Sequence, residues 1–279
     1  METLRVSTRY GEIAVHLGGR SPQDAPGLLL LHANPGDHRD YDEIVPALAG
    51  DWAIAAVDWP GYGASTVADP ELITIDALAD VAVLVAQELS HRGFGALTVL
   101  GNSAGGYAAV RLAQRAPDLV HGLVLVQPAG FAPRNPFTRA YFRFVASAAV
   151  ARRSVVPNAR LYLGPLHRGG VRAIFERTRA VPGDPVRLAV YRSLWRSFDS
   201  PRFDLTADGK LIPGVPVQVV WGRRDPTNPW FANRAAVARS LPQAEVAVLS
   251  TRHEPFAEAP ELFLDAVREF LGACAGMRP

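Results

Sequence analysis

The sequence predicts an α/β protein: a doubly wound, mostly parallel sheet, interrupted late in the chain by an inserted helical cap. Three observations carry that expectation. Short apolar runs alternate with helical stretches, the pattern of a parallel sheet covered on both faces. The alternation stops between Phe131 and about Leu211, where prolines bound short helices. The segment Leu97-Thr-Val-Leu-Gly-Asn-Ser-Ala-Gly-Gly106 turns from a strand-like run into Gly-x-Ser-x-Gly, followed by a small-residue helical pattern.

The elements follow in chain order. Glu12–Leu17 alternates apolar and polar residues like a strand with one wet face. Gly27–His32 and Trp52–Asp58 are continuously apolar, as strands buried on both faces are, and Leu97–Leu100, Gly122–Gln127, Val217–Trp221 and Glu245–Leu249 share that character. Between them the spacing predicts helices at Tyr41–Leu48, Ile75–His91, Gly105–Ala116, Phe231–Ser240 and Pro260–Leu271. In Ile75–His91, Leu78, Val81, Leu84 and Val85 recur at helical spacing. Helices at Phe137–Val150, Val171–Arg179 and Pro185–Ser197 fall in the proline-punctuated segment. The expected organisation is therefore a core at 1–130 and 211–279 with a helical cap, or lid, at 131–210.

Composition bounds the function. The chain has 279 residues, of which 48% are apolar, enough for one large core domain and unlike a disordered chain. No apolar run approaches the ~18 residues of a membrane span, and Met1–Arg5 lacks the apolar stretch of a signal peptide. Cys274 is the single cysteine, so no intrachain disulfide forms and a reducing, cytoplasmic setting is expected, with Cys274 an inert small residue. The net charge of +2 hides an asymmetry: residues 131–210 carry fourteen Arg and one Lys against five acids. The plain reading is a solvated helical surface; the sharper one is an entrance that favours anionic substrates. No nucleic-acid-binding module accompanies the charge, so a small-molecule substrate is expected, with neither nucleic acid nor membrane as partner. The sequence sets no oligomeric state.

Gly-x-Ser-x-Gly between a strand and a helix is the sequence form of a nucleophile elbow, which holds Ser103 exposed on a strained turn. Side chains at Gly101 or Gly105 would meet neighbouring backbone. A serine nucleophile needs a base, an acid that orients the base, and donors for the developing oxyanion. Val217-Gln-Val-Val-Trp221-Gly-Arg-Arg-Asp225 puts Asp225 just past the penultimate strand, and Ser250-Thr-Arg-His253-Glu254 puts His253 just past the last. The other histidines, His16, His32, His38, His91, His121 and His167, lack that position. Glu254, adjacent to His253, is poorly placed to orient it. The oxyanion donors are expected from the N–H of Ala104 and from the turn His32-Ala33-Asn34-Pro35-Gly36, where Asn34 is the candidate and its amide is a further ligand contact. His32 is expected beneath that turn as a structural residue.

These stretches resemble the α/β-hydrolase superfamily, specifically its capped serine-hydrolase branch. Leu-Leu-His32-Ala-Asn-Pro-Gly36, Asp58-Trp-Pro-Gly61-Tyr-Gly63-Ala-Ser65, Gly101-Asn-Ser-Ala-Gly105, Trp221-Gly-Arg-Arg-Asp225 and Arg252-His253-Glu-Pro-Phe256 carry the resemblance across the core, and only the cap lacks it. It implies an eight-stranded sheet and the chain order Ser103, Asp225, His253 for the triad. It also implies that Asp58–Ser65 shapes the pocket without being catalytic. Asn34-Pro35 is similar to the turn of haloalkane dehalogenases, where the Asn helps hold halide. Those enzymes and epoxide hydrolases attack with aspartate, however, and Ser103 does not replace that chemistry. Gly-Asn-Ser-x-Gly-Gly resembles meta-cleavage carbon–carbon hydrolases, which carry an aromatic residue where this chain has Glu254. Carboxylesterases are the other close resemblance.

The expected activity is hydrolysis of a small ester, lactone or related carbonyl compound through an acyl-enzyme, with catalytic Ser103, Asp225 and His253, oxyanion donors Asn34 and Ala104, and neither metal nor organic cofactor. Phe131, Phe137, Tyr141, Phe142 and Trp195 are the candidate pocket walls. Two other readings use the same residues: a carbon–carbon hydrolase or lyase, and a non-enzymatic ligand-binding protein on the same fold.

Overall fold

A computed structural model describes residues 2–209, 211–212 and 214–276. Lys210, where the expected cap ends, lies outside the described residues. Eight strands form one sheet in the order β1-β2-β4-β3-β5-β6-β7-β8. They are β1 (Glu2–Thr8), β2 (Gly11–Gly19), β3 (Gly27–Leu31), β4 (Ala53–Val57), β5 (Leu97–Asn102), β6 (Val120–Val126), β7 (Val217–Gly222) and β8 (Glu245–Leu249). From β4 onward across the sheet every pairing is parallel, and β1 and β2 join antiparallel at one edge.

The pleat sorts the core into two layers. Leu29, Leu31, Val99, Leu123 and Leu125 pack with α2 (Ile75–His91) and α3 (Ala104–Arg115). Leu28, Leu30, Leu100, Val124 and Val126 face the other way, toward α10 (Pro260–Gly276). Burial on both faces is why these strands read as unbroken apolar runs. The strand that the apolar runs do not reveal is β1. It lies at the sheet edge, and of its residues only Leu4 and Val6 are buried.

Elsewhere the helices differ in detail from the expectations. Tyr41–Leu48 is a 3-10 turn at His38–Tyr41 followed by the short α1 (Val45–Leu48). The stretch expected as one helix from Phe137 to Val150 breaks at the extended Ser147, giving α4 (Pro136–Ala146) and α5 (Ala148–Tyr162). Pro157 lies inside α5 and does not end it. Next come α6 (Gly169–Ala180) and α7 (Pro185–Ser197), then α8 (Trp230–Ser240) and the short α9 (Pro255–Glu258). Helices α4, α5, α6 and α7 all fall between β6 and β7, and α5 packs on α4, α6 and α7. Among the described residues no helix is long and apolar enough to cross a membrane. Cys274 is buried against Gly122, and burial pushes its thiol up, as an inert core residue requires.

Asp58 anchors the turn after β4. Its side chain is fully buried and accepts from His16 Nε2, His38 Nδ1, the His38 N–H and the Ala64 N–H, each at 2.8 Å. Gly63 follows at φ +54, where an added Cβ would fall 2.1 Å from the Asp58 carboxylate. Burial pushes the Asp58 carboxyl up, but the hydrogen bonds from His38 and Ala64 outweigh it and hold the group well below the usual carboxylate range. The His16 and His38 rings stack 3.5 Å apart and 18° from parallel. Their ring nitrogens and an Asp58 oxygen lie within 4.8 Å of one another, and both rings are held by hydrogen bonds to Asp58, so the trio braces the turn.

Asp58→Asn should destabilise the protein by about 3–5 kcal/mol, because it removes the charge from a buried, fully donated-to group. Because the folded-state pKa is depressed, its contribution is complete above the ordinary carboxylate pKa of about 4 and fades as pH falls below it. Urea denaturation at pH 7 and pH 3 checks both parts. The variant should show the deficit at pH 7 and a shallower loss toward pH 3.

Candidate active site

Four loops at the C-terminal edge of the sheet meet in one place. The first follows β5. Ser103 has φ +52 and ψ −111, a conformation that the surrounding structure must enforce. Crowding explains the flanking glycines. A Cβ at Gly101 would lie 2.4 Å from the Gly105 carbonyl oxygen, and one at Gly105 would lie 2.0 Å from the carbonyl oxygen of Leu31. The Ser103 N–H donates to Val126 and its carbonyl accepts from Tyr107 and Ala129, so β6 and α3 grip the turn from both sides.

The loops after β7 and β8 carry the second and third members. Asp225 Oδ2 lies 2.5 Å from His253 Nδ1, while Oδ1 accepts from the Thr227 N–H, the Thr227 hydroxyl and the Asn228 N–H. Asp225 and His253 are 2% and 8% exposed. Burial pushes the Asp225 carboxyl up, but the neighbouring His253 and the Thr227 donors prevail and keep it below the ordinary value. With the carboxylate on Nδ1, the other ring nitrogen is the one left for chemistry. Ser103 and His253 line the same cavity.

Residues given no role by the sequence hold this geometry. Asn102, the variable position of Gly-x-Ser-x-Gly, donates through Nδ2 to Val126 and to the His253 carbonyl, tying the elbow to the histidine loop. Gln127 Nε2 donates to the Arg252 carbonyl. Arg252 in turn donates to the carbonyls of Arg160, Leu161 and Leu163, a cationic cap on the C-terminus of α5. The His253 N–H donates to Tyr162, whose ring lies edge-on to the imidazole with centroids 5.6 Å apart. The sequence signal for Asn102 and Gln127 is only that a polar residue ends an apolar strand.

The turn after β3 completes the edge. His32 is fully buried, with Nε2 accepting the Trp59 N–H and Nδ1 on the Ala33 carbonyl, and burial drives its pKa down to about 4. It is a neutral strut beneath the turn. Ala33 fits where a glycine is usual because its φ is not positive. The Asn34-Pro35 bond is cis. Gly36 serves for space and not for unusual angles, since its φ is ordinary and a Cβ would fall 2.2 Å from Asp40 Oδ2. Among the described residues the N–H groups of Asn34 and Ala104 have no acceptor, and Asn34 Nδ2 is buried without a partner while its Oδ1 accepts from Tyr62. The Asp58–Ser65 loop reaches the cavity only indirectly, through that Tyr62 contact.

The cavity has a volume of about 130 Å³ and runs from Ser103 and Asn34 up between α4, α5 and α7. Tyr141, Phe142 and Trp195 line it as expected, joined by Tyr162, Tyr191, Phe198 and Phe203. Phe131 and Phe137 do not. Phe131 is fully buried in the core beside the sheet, and Phe137, in the first turn of α4, is 86% exposed to solvent. Arginines are missing from the lining too. Arg139 and Arg143 pair with Asp199, Arg196 with Glu71, and Arg177 with Asp37 and Asp40. The plain reading of the basic segment, a solvated helical surface, is the one this lining supports.

Arg177 has a special place. From α6 it reaches Asp40 at 2.9 Å and Asp37 at 3.5 Å, both in the turn just after Pro35. Glu254 lies behind them, 2% exposed, with no hydrogen bond to either carboxyl oxygen. Burial, then the Asp40 charge, pushes its carboxyl well above the usual carboxylate range. Burial and the charge of Asp37 likewise raise Asp40 to about 7 despite Arg177. Neither Glu254 oxygen reaches His253, whose Nδ1 is held by Asp225.

Arg177→Met should destabilise by about 3–5 kcal/mol by stranding buried acids. Adding Asp40→Asn should recover part of that loss. A double-mutant cycle by chemical denaturation checks this, and strictly additive effects would refute the coupling.

Comparison with known proteins follows the same lines. The sequence matches the family model for the alpha/beta hydrolase fold over residues 26–260. It is 28% identical over 262 residues to a pimeloyl-[acyl-carrier protein] methyl ester esterase of Neisseria meningitidis serogroup C, covering 90% of this chain and 95% of that protein. A malate-bound thermophilic esterase from Thermogutta terrifontis superposes with a TM-score of 0.79 at 24% identity, covering 99% of this chain and all of the other. An N-acyl homoserine lactonase complexed with N-hexanoyl homoserine superposes with a TM-score of 0.74 at 21% identity, covering 100% and 98%.

Proposed function

We propose the following reaction for this chain, which belongs to the alpha/beta hydrolase fold family: hydrolysis of a small-molecule ester or lactone by two-step acyl transfer. His253 removes the Ser103 proton as Oγ attacks the carbonyl carbon. The carbonyl π electrons move to oxygen, and the N–H groups of Asn34 and Ala104 receive that oxyanion. Collapse expels the alkoxide, which takes the proton from His253. Water, deprotonated by His253, then attacks the acyl-enzyme; the second tetrahedral intermediate releases the acid and returns the proton to Ser103. Asp225 fixes the tautomer and stabilises the imidazolium. Residues 131–210 act as the cap that closes the acyl site.

One observation carries this reading. A serine at φ +52, a histidine held from behind by the buried Asp225, and Asn34 border a single cavity, and the N–H groups of Asn34 and of Ala104, directly after the serine, have no acceptor among the described residues. The esterase relatives support an oxygen ester as the scissile group. The carbon–carbon alternative predicts a carboxylate with an enol or ketone as products, whereas ester cleavage gives a carboxylate with an alcohol.

A fluorophosphonate probe should label the wild-type protein and fail on Ser103→Ala, with p-nitrophenyl ester turnover lost by roughly 10⁴-fold or more. Asp225→Asn should keep the fold, measured by circular dichroism, and lower kcat by roughly 10⁴-fold. A wild-type protein that neither labels nor turns over any activated ester would refute the mechanism.

A further inference from the structure

We propose that the cap end of the cavity admits one apolar group about the size of a benzene ring, and that Phe142 and the rings around it set that limit. This rests on the acyl-transfer reading above and names the class of substrate for it: compact apolar or aromatic esters without a carboxylate.

Two kinds of wall meet in the cavity. At the sheet edge the wall is polar, made by Asn34, Ser103, Thr227, Asn228 and His253. Toward the cap it is made of rings from α4, α7 and the chain that follows α7. Phe142 is the hub of these rings. Its centroid lies between 5.6 and 6.1 Å from those of Tyr141, Trp195, Phe198 and Phe203. Phe198 and Phe203 stack at 4.6 Å, and Trp195 stands one turn from Tyr191 on α7. Asn158 Nδ2 and Trp195 Nε1 have no surface open to the cavity and lie against the Tyr191 hydroxyl. A substrate meets ring faces and edges there, with Val155 beside them.

Volume sets the size. The cavity holds about 130 Å³, and an apolar cavity of about 150 Å³ binds one benzene molecule. A second fused ring would have to push apart side chains that already touch one another, and such overpacking is costly. Edge-to-face and offset contacts with the walls favour a ring as the occupant. Charge sets the polarity. Among the described residues the lining carries no Lys, Arg, Asp or Glu side chain. Burial raises the phenols of Tyr141, Tyr162 and Tyr191, so they stay uncharged at pH 7. A carboxylate at the cap end would be desolvated with no counter-ion, and Asp225, behind His253, carries the same sign.

The test compares matched esters by acid release in a pH-stat. For size, the pairs are methyl phenylacetate with methyl 2-naphthylacetate, and benzyl acetate with 2-naphthylmethyl acetate. For charge, a carboxylate replaces an isopropyl group of the same shape: monomethyl succinate with methyl 4-methylpentanoate, and 3-acetoxypropanoate with 3-methylbutyl acetate. On the acyl or the alcohol side, kcat/KM should fall roughly tenfold from phenyl to naphthyl and roughly a hundredfold from isopropyl to carboxylate. Phe142→Ala should raise the naphthyl-to-phenyl ratio on that side roughly tenfold, and Phe198→Leu should raise it in the same direction. Because the ratio is internal to each variant, partial loss of folded protein cancels from it.

Naphthyl esters turned over as well as phenyl esters on both sides, a carboxylate turned over as well as its isostere on both sides, or a size ratio that neither substitution moves overturns this inference and leaves acyl transfer standing. Phosphonate labelling without turnover of any phenyl or branched ester does the same. Failure of every ester together with failure of labelling overturns the acyl-transfer reading, and this inference with it.

Discussion

The rest of the site depends on a contact between backbones. Gly105, at the start of α3, lies so close to the end of β3 that a single methyl group would sit 2.0 Å from the Leu31 carbonyl oxygen. That approach sets the elbow against the oxyanion turn, since Leu31 leads directly into His32, Ala33 and Asn34. The opposite side is closed by the Ser103 N–H on Val126 and the Asn102 amide on the His253 carbonyl. A strained serine persists because three neighbouring strand ends leave the chain no room to relax.

Charge is arranged around this edge with few free counter-ions. Asp225 is satisfied by His253 and by the donors of its own turn, and Asp58 by two histidines and two backbone N–H groups. Both carboxylates lie outside the cavity and hold loops that border it. Asp37, Asp40 and Glu254 lean on Arg177, which belongs to the helical insertion, so the turn that carries Asn34 is tied electrostatically to α6. Arg252 makes a second tie, from the histidine loop to the end of α5. Helices α5 and α6 are thus fastened to the turn that carries Asn34 and to the loop that carries His253, and their positions are mechanically coupled.

Much of the core was legible because its rules are local. Strands buried on both faces must be apolar throughout, and an elbow must carry glycine on both sides of the nucleophile, so β3 to β7 and Ser103 stand out in the chain; β8, expected to be buried likewise, is an edge strand with only Leu249 buried. Asp225 and His253 are legible from order, each just past a strand end. Helix breaks were harder: Ser147 divides a stretch whose periodicity continues through it, and Pro157 sits inside a helix that proline ordinarily closes. Phe131 and Phe137 show the limit for pocket walls. Aromatic residues near a site serve core, surface and lining alike, and only packing distinguishes them.

By itself, the sequence determined the sheet, the elbow and the identity of the groups at its edge, because periodicity, glycine placement and chain order are properties of neighbouring residues. The tertiary structure alone decided which of the fourteen arginines between 131 and 210 face the cavity, and its lining includes none of them. It also decided that Glu254 is buried with neither carboxyl oxygen hydrogen-bonded, and that Asn102 braces the histidine loop. These are contacts between segments far apart in the chain. Their energies depend on desolvation and on distances of a few ångströms, which no local pattern encodes.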